Sequence, residues 1–351
     1  MKENITMTSK ERVRAAMRFH PPDKVPVQFF YCPVGYYEHG EKLNDLYSTL
    51  ENDFSPFVRM AIPVIPESDF DKDGNYHAFR RDGFGTLWEY RIFGVAGIPC
   101  EFPLADSETV YSYKMPPAPA YPGDINAARK NMLESRNDNY YHLHGVGSLF
   151  ERMIEMRPET DVLCDLVNNE RHIHVLADMI TEYDLAAVNS AVANGADGIA
   201  FGDDYGTERA LIMDPKLFKS FFLPRLKTIF EPAIKANLEI HFHSCGYVWD
   251  ILPYLAEIGV TSIWPQIPAY DMKKLADRCR ELRLSVAIHT DRANAMTFGT
   301  PNEVRELVLR EYETFKLYDG GGWFYIEADN GFPFANLEAL VNTVKELRER
   351  Q

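Results

Sequence analysis

A (β/α)8 barrel is the fold class this sequence predicts, on three observations. Short apolar runs alternate with amphipathic, helix-like stretches, the pattern of parallel strands joined by crossover helices. The runs number eight, the count a small closed barrel needs. Polar and ligand-type residues gather at their carboxyl ends, where barrel enzymes build their sites. An open doubly wound sheet would also bind there, but no G-x-G-x-x-G follows the first strand. The 351 residues are 46% hydrophobic and show no linker or low-complexity tract, so the expectation is one domain spanning 1–351.

In chain order, the first two predicted strands are Val25–Tyr31 and Phe57–Val64. Between Arg80 and Pro103, Gly83, Gly85, Gly94 and Gly97 punctuate apolar pieces, which predicts a β-hairpin insertion at 80–103. Tyr140–Leu143 follows as a third strand of the barrel. Gly198–Gly202 then ends in Asp203-Asp204, and Glu239–His243 in Ser244-Cys245-Gly246. Thr261–Trp264 ends in Pro265-Gln266, Leu284–Ile288 in His289-Thr290-Asp291, and Trp323–Ile326 in Glu327-Ala-Asp329. Pro215–Asn237, Trp249–Ile258, Lys273–Leu282 and Pro301–Leu317 read as helices between them. Gly320-Gly321-Gly322 lacks the Lys-Ser/Thr of a phosphate loop and reads as a turn.

A net charge of −15 without basic runs gives no electrostatic footprint for nucleic acid or an anionic membrane. No apolar run approaches the ~20 residues that span a bilayer. The five cysteines are odd in number, scattered and without a C-x-x-C pair, so neither a zinc knuckle nor a thioredoxin-like site is indicated. The opening Met1–Lys10 is polar, unlike a signal peptide. A cytoplasmic protein with reduced thiols is expected.

His243 and Cys245 are the sharpest chemical signal. Strand side chains alternate, so Glu239, His241 and His243 share a face and Cys245 follows just past the end. An imidazole and a thiolate at that spacing suit zinc, which keeps an open position when catalytic. The competing reading is a buried histidine beside an inert cysteine. A third ligand should come from another strand end, and Glu327 and Asp329 share parity there; the alternative is a helix cap or turn. Asp203 and Asp204 are candidates for base, substrate ligand or metal ligand, and only one of two neighbours can face the site. Asp291 is a further catalytic candidate. Tyr31, His142, His144, His241, Gln266 and His289 are candidates for lining a substrate pocket, against the alternative of core residues.

Longer stretches resemble a known family. They are Met7-Thr-Ser-Lys-Glu-Arg-Val-Arg-Ala-Ala-Met17 with Pro22-Asp-Lys-Val-Pro-Val27, then Asp203-Asp-Tyr-Gly206, Pro215-Lys-Leu-Phe218 and Leu223-Pro-Arg-Leu-Lys227. His243-Ser-Cys-Gly246 leads into Trp249-Asp-Ile-Leu-Pro-Tyr-Leu-Ala-Glu-Ile-Gly259, followed by Gly299-Thr-Pro-Asn-Glu-Val304 and Pro333-Phe-Ala-Asn336. In this order they resemble the uroporphyrinogen decarboxylase superfamily, which implies a (β/α)8 barrel. True decarboxylases of that superfamily carry an arginine-rich segment, R-Q-A-G-R, that grips substrate carboxylates. Here the corresponding region runs Phe29-Phe-Tyr-Cys-Pro-Val-Gly-Tyr36. An octa-anionic porphyrinogen is a poor electrostatic match for so acidic a chain.

The His-x-Cys pair is similar to the cobamide-dependent methyltransferase branch. That resemblance implies zinc held by His243 and Cys245 plus a third ligand from the last strand, often cysteine. Glu327-Ala-Asp329-Asn330 stands there instead, and Glu327 is favoured because Asp329-Asn330-Gly331 reads as a turn. The implied activity is methyl transfer between a small O-, S- or N-methyl compound and a corrinoid (cobamide) carried by a partner corrinoid protein. Two rivals remain: a metal-free decarboxylase using Asp203 or Asp204 to stabilise a protonated pyrrole-like intermediate, and a non-catalytic corrinoid- or tetrapyrrole-binding accessory protein.

Overall fold

A computed structural model describes residues 6–118 and 138–350. Met1–Ile5, half of the polar opening, lie outside the described residues. Seven strands form one parallel sheet: β1 (Val27–Phe29), β5 (Leu143–Gly147), β6 (Gly198–Gly202), β7 (Glu239–Ser244), β8 (Ser262–Pro265), β9 (Ser285–His289) and β10 (Gly322–Ile326). Their spatial order is β1-β10-β9-β8-β7-β6-β5. Helices fill most connections, among them Arg171–Ala193, Leu223–Lys235, Met272–Leu282 and Pro301–Phe315.

The sheet is curled, and its two faces bury different clusters. Outward residues such as Ile199, Phe201, Phe242, Val286, Phe324 and Ile326 join the large core beneath the helices. Inward residues alternate with them: Trp323, Tyr325 and Ala287 form a second cluster with Tyr141 and Phe54. Val13 and Met17 of helix Ser9–Met17 belong to this cluster. That helix begins at a capping box in which Thr8 and Glu11 satisfy each other's backbone N–H groups.

The expected eighth strand, Phe57–Val64, is not a strand. Pro56 and Pro63 lack N–H donors, and Val58 and Val64 are 63% and 88% exposed. Buried Asp53 stands between the sheet's edges instead. Its N–H donates to the Val27 carbonyl (2.8 Å), and the Tyr141 N–H donates to its carbonyl (3.0 Å). Its carboxylate accepts from the Val27 N–H (2.8 Å), the Ser9 hydroxyl (2.8 Å), Arg348 (3.0 Å) and Arg12. A fully paired, closed barrel is therefore replaced, among the described residues, by seven strands and this junction.

The strand expected at Tyr140–Leu143 begins only at Leu143, where pairing with β6 starts, and a bulge separates Gly145 from Gly147. Its glycines and His144 hide it from a hydrophobic pattern. The insertion expected at 80–103 is a three-stranded antiparallel sheet of β2 (Ala78–Arg81), β3 (Leu87–Tyr90) and β4 (Ile98–Glu101). The Thr86 hydroxyl ties it to the Glu155 carbonyl (2.8 Å). Among the described residues no helix is long and apolar enough to cross a membrane.

Candidate functional site

The site grows from β7. His241 and His243 point inward, and β7 pairs with β8 so that His243 lies beside Trp264. The His243 Nδ1 sits 2.9 Å from the Trp264 carbonyl oxygen, which can only accept. The neutral ring therefore carries its proton on Nδ1 and presents a bare Nε2. That Nε2 lies 3.4 Å from the Cys245 Sγ and 3.4 Å from the Asp204 Oδ1. Asp204 reaches this point two residues beyond β6, and its Oδ1 accepts the Cys245 N–H at 2.6 Å. One oxygen, one nitrogen and one sulfur donor thus lie within 4.8 Å of one another.

The electrostatics favour a cation here. Burial, and then the Asp204 carboxylate, push the Cys245 thiol up to about 12, so without a cation the sulfur keeps its proton. Burial lowers His243, opposed by Asp204. His241 and His289 are pushed down to about 3, chiefly by burial, and stay neutral. These three side chains could hold a divalent ion, which would supply positive charge here, and mixed O, N and S donors in threes suit zinc with a position left open. The carbonyl behind His243 is the kind of outer partner that orients a ligating imidazole.

A cavity of about 170 Å³ opens beside the group, lined by His243, Cys245, Trp264, His289, Asp291 and Arg292. Gln266 also lines it, its Oε1 accepting the Gly246 N–H (2.9 Å). The aromatic wall is continuous: Trp264 lies 4.1 Å from the His243 ring and 4.3 Å from Tyr325, centroid to centroid. A larger cavity of about 700 Å³ adjoins it, sharing Ile267, Pro268 and Asp291, but none of the three donors lines that one.

Other candidates from the sequence lie elsewhere. Asp203 faces the helices, where its carboxylate accepts the Phe150 and Glu151 N–H groups (3.0 and 2.8 Å) and the Tyr205 hydroxyl (2.5 Å). Adjacent strand residues point oppositely, so Asp204 took the site and Asp203 a structural post. Glu327 and Asp329 are outside the three-donor group, 3.8 and 3.3 Å from Arg292. Burial, and then Asp329, raise Glu327 to about 7. Asp329 also accepts the Asn330 N–H (2.7 Å), the turn bond its sequence suggests. Asp291 lines the rim while accepting the Ala293 and Asn294 N–H groups (3.0 and 3.1 Å).

His241 lies below the site with its Nδ1 3.0 Å from the Ser262 hydroxyl. His144 lines a separate cavity with Asp184 and Arg152, and the His142 backbone holds Asp197. Tyr31 packs on Tyr36 (5.2 Å) at another cavity. Sequence reasoning missed Arg292, the one cation lining the small cavity among the described residues, although it follows the flagged Asp291. It also missed Glu151, which burial, Asp204 and Asp203 raise to about 9. Nothing around Glu151 in the sequence signals this, because its neighbours arrive from distant strands.

Residues 145–347, more than half of the chain, match the uroporphyrinogen decarboxylase (URO-D) family. The chain belongs to the uroporphyrinogen decarboxylase family. No curated protein matches the sequence. A methyltransferase from Methanosarcina mazei is similar in structure at 16% identity, with 97% of this chain and 99% of that chain covered and a TM-score of 0.66. At that identity the likeness is one of fold. The apo form of 3-keto-D-glucoside 4-epimerase from E. coli, at 11% identity over 65% of this chain and 95% of that one, has a TM-score of 0.34, too low to bear on the argument.

Proposed function

We propose that this protein is a zinc-dependent methyltransferase that moves a methyl group between a small O-, S- or N-methyl compound and a corrinoid protein. The observation that carries this reading is the Asp204–His243–Cys245 group at the strand ends, with the His243 Nε2 left bare by its Nδ1–H bond to Trp264. Zinc held there supplies a Lewis acid for the heteroatom from which the methyl departs or to which it returns. The chain's own residues do the rest. Trp264 and His289 line the cavity beside the three donors, and Arg292 places positive charge in the same lining. The fold shared with a methyltransferase from Methanosarcina mazei supports the same reading. The decarboxylase alternative is weakened, since no arginine-rich segment follows β1; of its two candidate carboxylates Asp203 is turned away and Asp204 alone faces the site.

Protein purified without chelator is expected to carry about one zinc per chain, and Cys245→Ala to lose it. Metal near zero in the wild type, or unchanged in the variant, would overturn the zinc. Incubation with corrinoid protein and a panel of methoxy-aromatics, methylamines and methylthiols should give methylcobalt absorbance with one class. Robust turnover of uroporphyrinogen III instead would reverse the assignment.

A further inference from the structure

We propose that the cavity of about 700 Å³ adjoining the metal-binding group holds the ammonium end of the methyl compound, so that the substrate is an organic cation whose methyl-bearing atom is remote from its charge. The role as substrate rests on the methyl-transfer reading; occupancy of the cavity by a cation does not. The two cavities share Ile267, Pro268 and Asp291, and the smaller, about 170 Å³, has room for little more than the reacting end of a ligand. The Tyr270 hydroxyl donates to the Gly246 carbonyl (2.9 Å), which fixes the wall of the larger cavity to the segment carrying Cys245. Tyr270, Met272 and Leu307 give that wall apolar surface, and Phe298, 83% exposed, adds a ring that can attract an organic cation.

Charge decides what the cavity takes. Asp291, Glu303, Glu306 and Glu311 line it, and among the described residues none of the four forms an ion pair. One exposed guanidinium, Arg310, stands against them, while Arg305 of the same helix pairs outward with Glu346 (2.7 Å). No three of these carboxyls converge within 4.8 Å as the Asp204–His243–Cys245 atoms do, so they suit a diffuse organic cation better than a chelated metal ion. The independent mark is Glu311, 1% exposed, a depth at which a carboxyl ordinarily has its partners. Its Oε2 accepts the Thr290 hydroxyl (2.8 Å), whereas Oε1 has no hydrogen-bond partner among the described residues and is not one of the oxygens sealed in the core. Oε1 therefore opens to the cavity that Glu311 lines. Burial raises this carboxyl to about 8, with Asp291 adding to it and Thr290 and Arg310 opposing. A cation against Oε1 favours the carboxylate, so Glu311 releases its proton on binding, and an anionic ligand is disfavoured by the same four acids.

Binding is measured by calorimetry on the full chain without corrinoid protein, before and after chelator treatment, so this test fails separately from those of zinc and methyl transfer. The probe is 4-methoxyphenethylamine, with 4-methoxyphenethyl alcohol (neutral) and 3-(4-methoxyphenyl)propionate (anionic) as comparisons of similar length. One amine per chain is expected, bound about tenfold more tightly than the alcohol or the acid. Its affinity should rise from pH 6 to pH 8, and Glu311→Gln should weaken it about tenfold and abolish that rise. Arg310→Gln and Glu306→Gln, both at exposed positions, should move the affinity about threefold in opposite directions, tighter for the first and weaker for the second. These two serve if Glu311→Gln does not fold. Absence of saturable amine binding, equal binding of the alcohol or the acid, a flat pH response, or an affinity that none of the three variants changes would overturn the cation subsite.

Discussion

Asp204 and Glu327 are both carboxylates at strand ends, yet their surroundings give them different work. Asp204 accepts the Cys245 N–H and lies 3.4 Å from the His243 Nε2, while Glu327 lies outside that group, 3.8 Å from Arg292. Asp204→Ala is therefore expected to lose bound zinc and Glu327→Ala to retain it, read by metal analysis after gel filtration. Retention by the first and loss by the second would return the third ligand to the last strand. Glu311 offers a prediction away from the site. It is 1% exposed, accepts the Thr290 hydroxyl (2.8 Å), and burial raises it to about 8 from an ordinary value of 4.5. Between pH 4.5 and 8 the folded chain holds a proton the unfolded chain has released, so Glu311 makes stability fall as pH rises through that window. Glu311→Gln should flatten the fall, seen by comparing denaturant midpoints at pH 5 and pH 8. Equal slopes for both proteins would refute it.

At the scale of the element, Asp203 shows how a strand end is tied to the next helix. Helix Phe150–Met156 has no side-chain cap of its own, and the Asp203 carboxylate takes two of its first free N–H groups. Tyr205 adds its hydroxyl and stacks on Phe150 at 5.6 Å. Removing a buried acceptor leaves several donors unmade, so Asp203→Ala is expected to cost on the order of 3 kcal/mol in chemical denaturation. Zinc binding should survive at temperatures where the variant is folded. Loss of zinc with unchanged stability would instead make Asp203 part of the site.

On the scale of the whole molecule, Asp53 does what an eighth strand was expected to do. Its backbone touches both sheet edges, and its carboxylate gathers Ser9 and Arg12 from the amino-terminal helix and Arg348 from the carboxyl-terminal one. Breaking a buried ionic group by removing one partner typically costs about 3–5 kcal/mol. Asp53→Ala should fall in that range and lower the melting temperature. A change below about 1 kcal/mol would show that the junction is held elsewhere.

The sequence by itself determined the parallel α/β class, seven of the strands to within a few residues, the separate antiparallel insertion, and the His243–Cys245 pair. Each is written in local periodicity: alternation decides which face a strand residue takes, and two residues along one strand stay neighbours whatever else happens. Only the tertiary structure decided that Asp204 rather than Asp203 joins them, that Glu327 and Asp329 lie outside that group beside Arg292, and that Asp53 replaces a paired strand at the edges. Those outcomes depend on register between strands far apart in the chain. Shifting a strand by one residue would exchange Asp203 for Asp204 without altering any local pattern, and the choice is made by packing of the whole core.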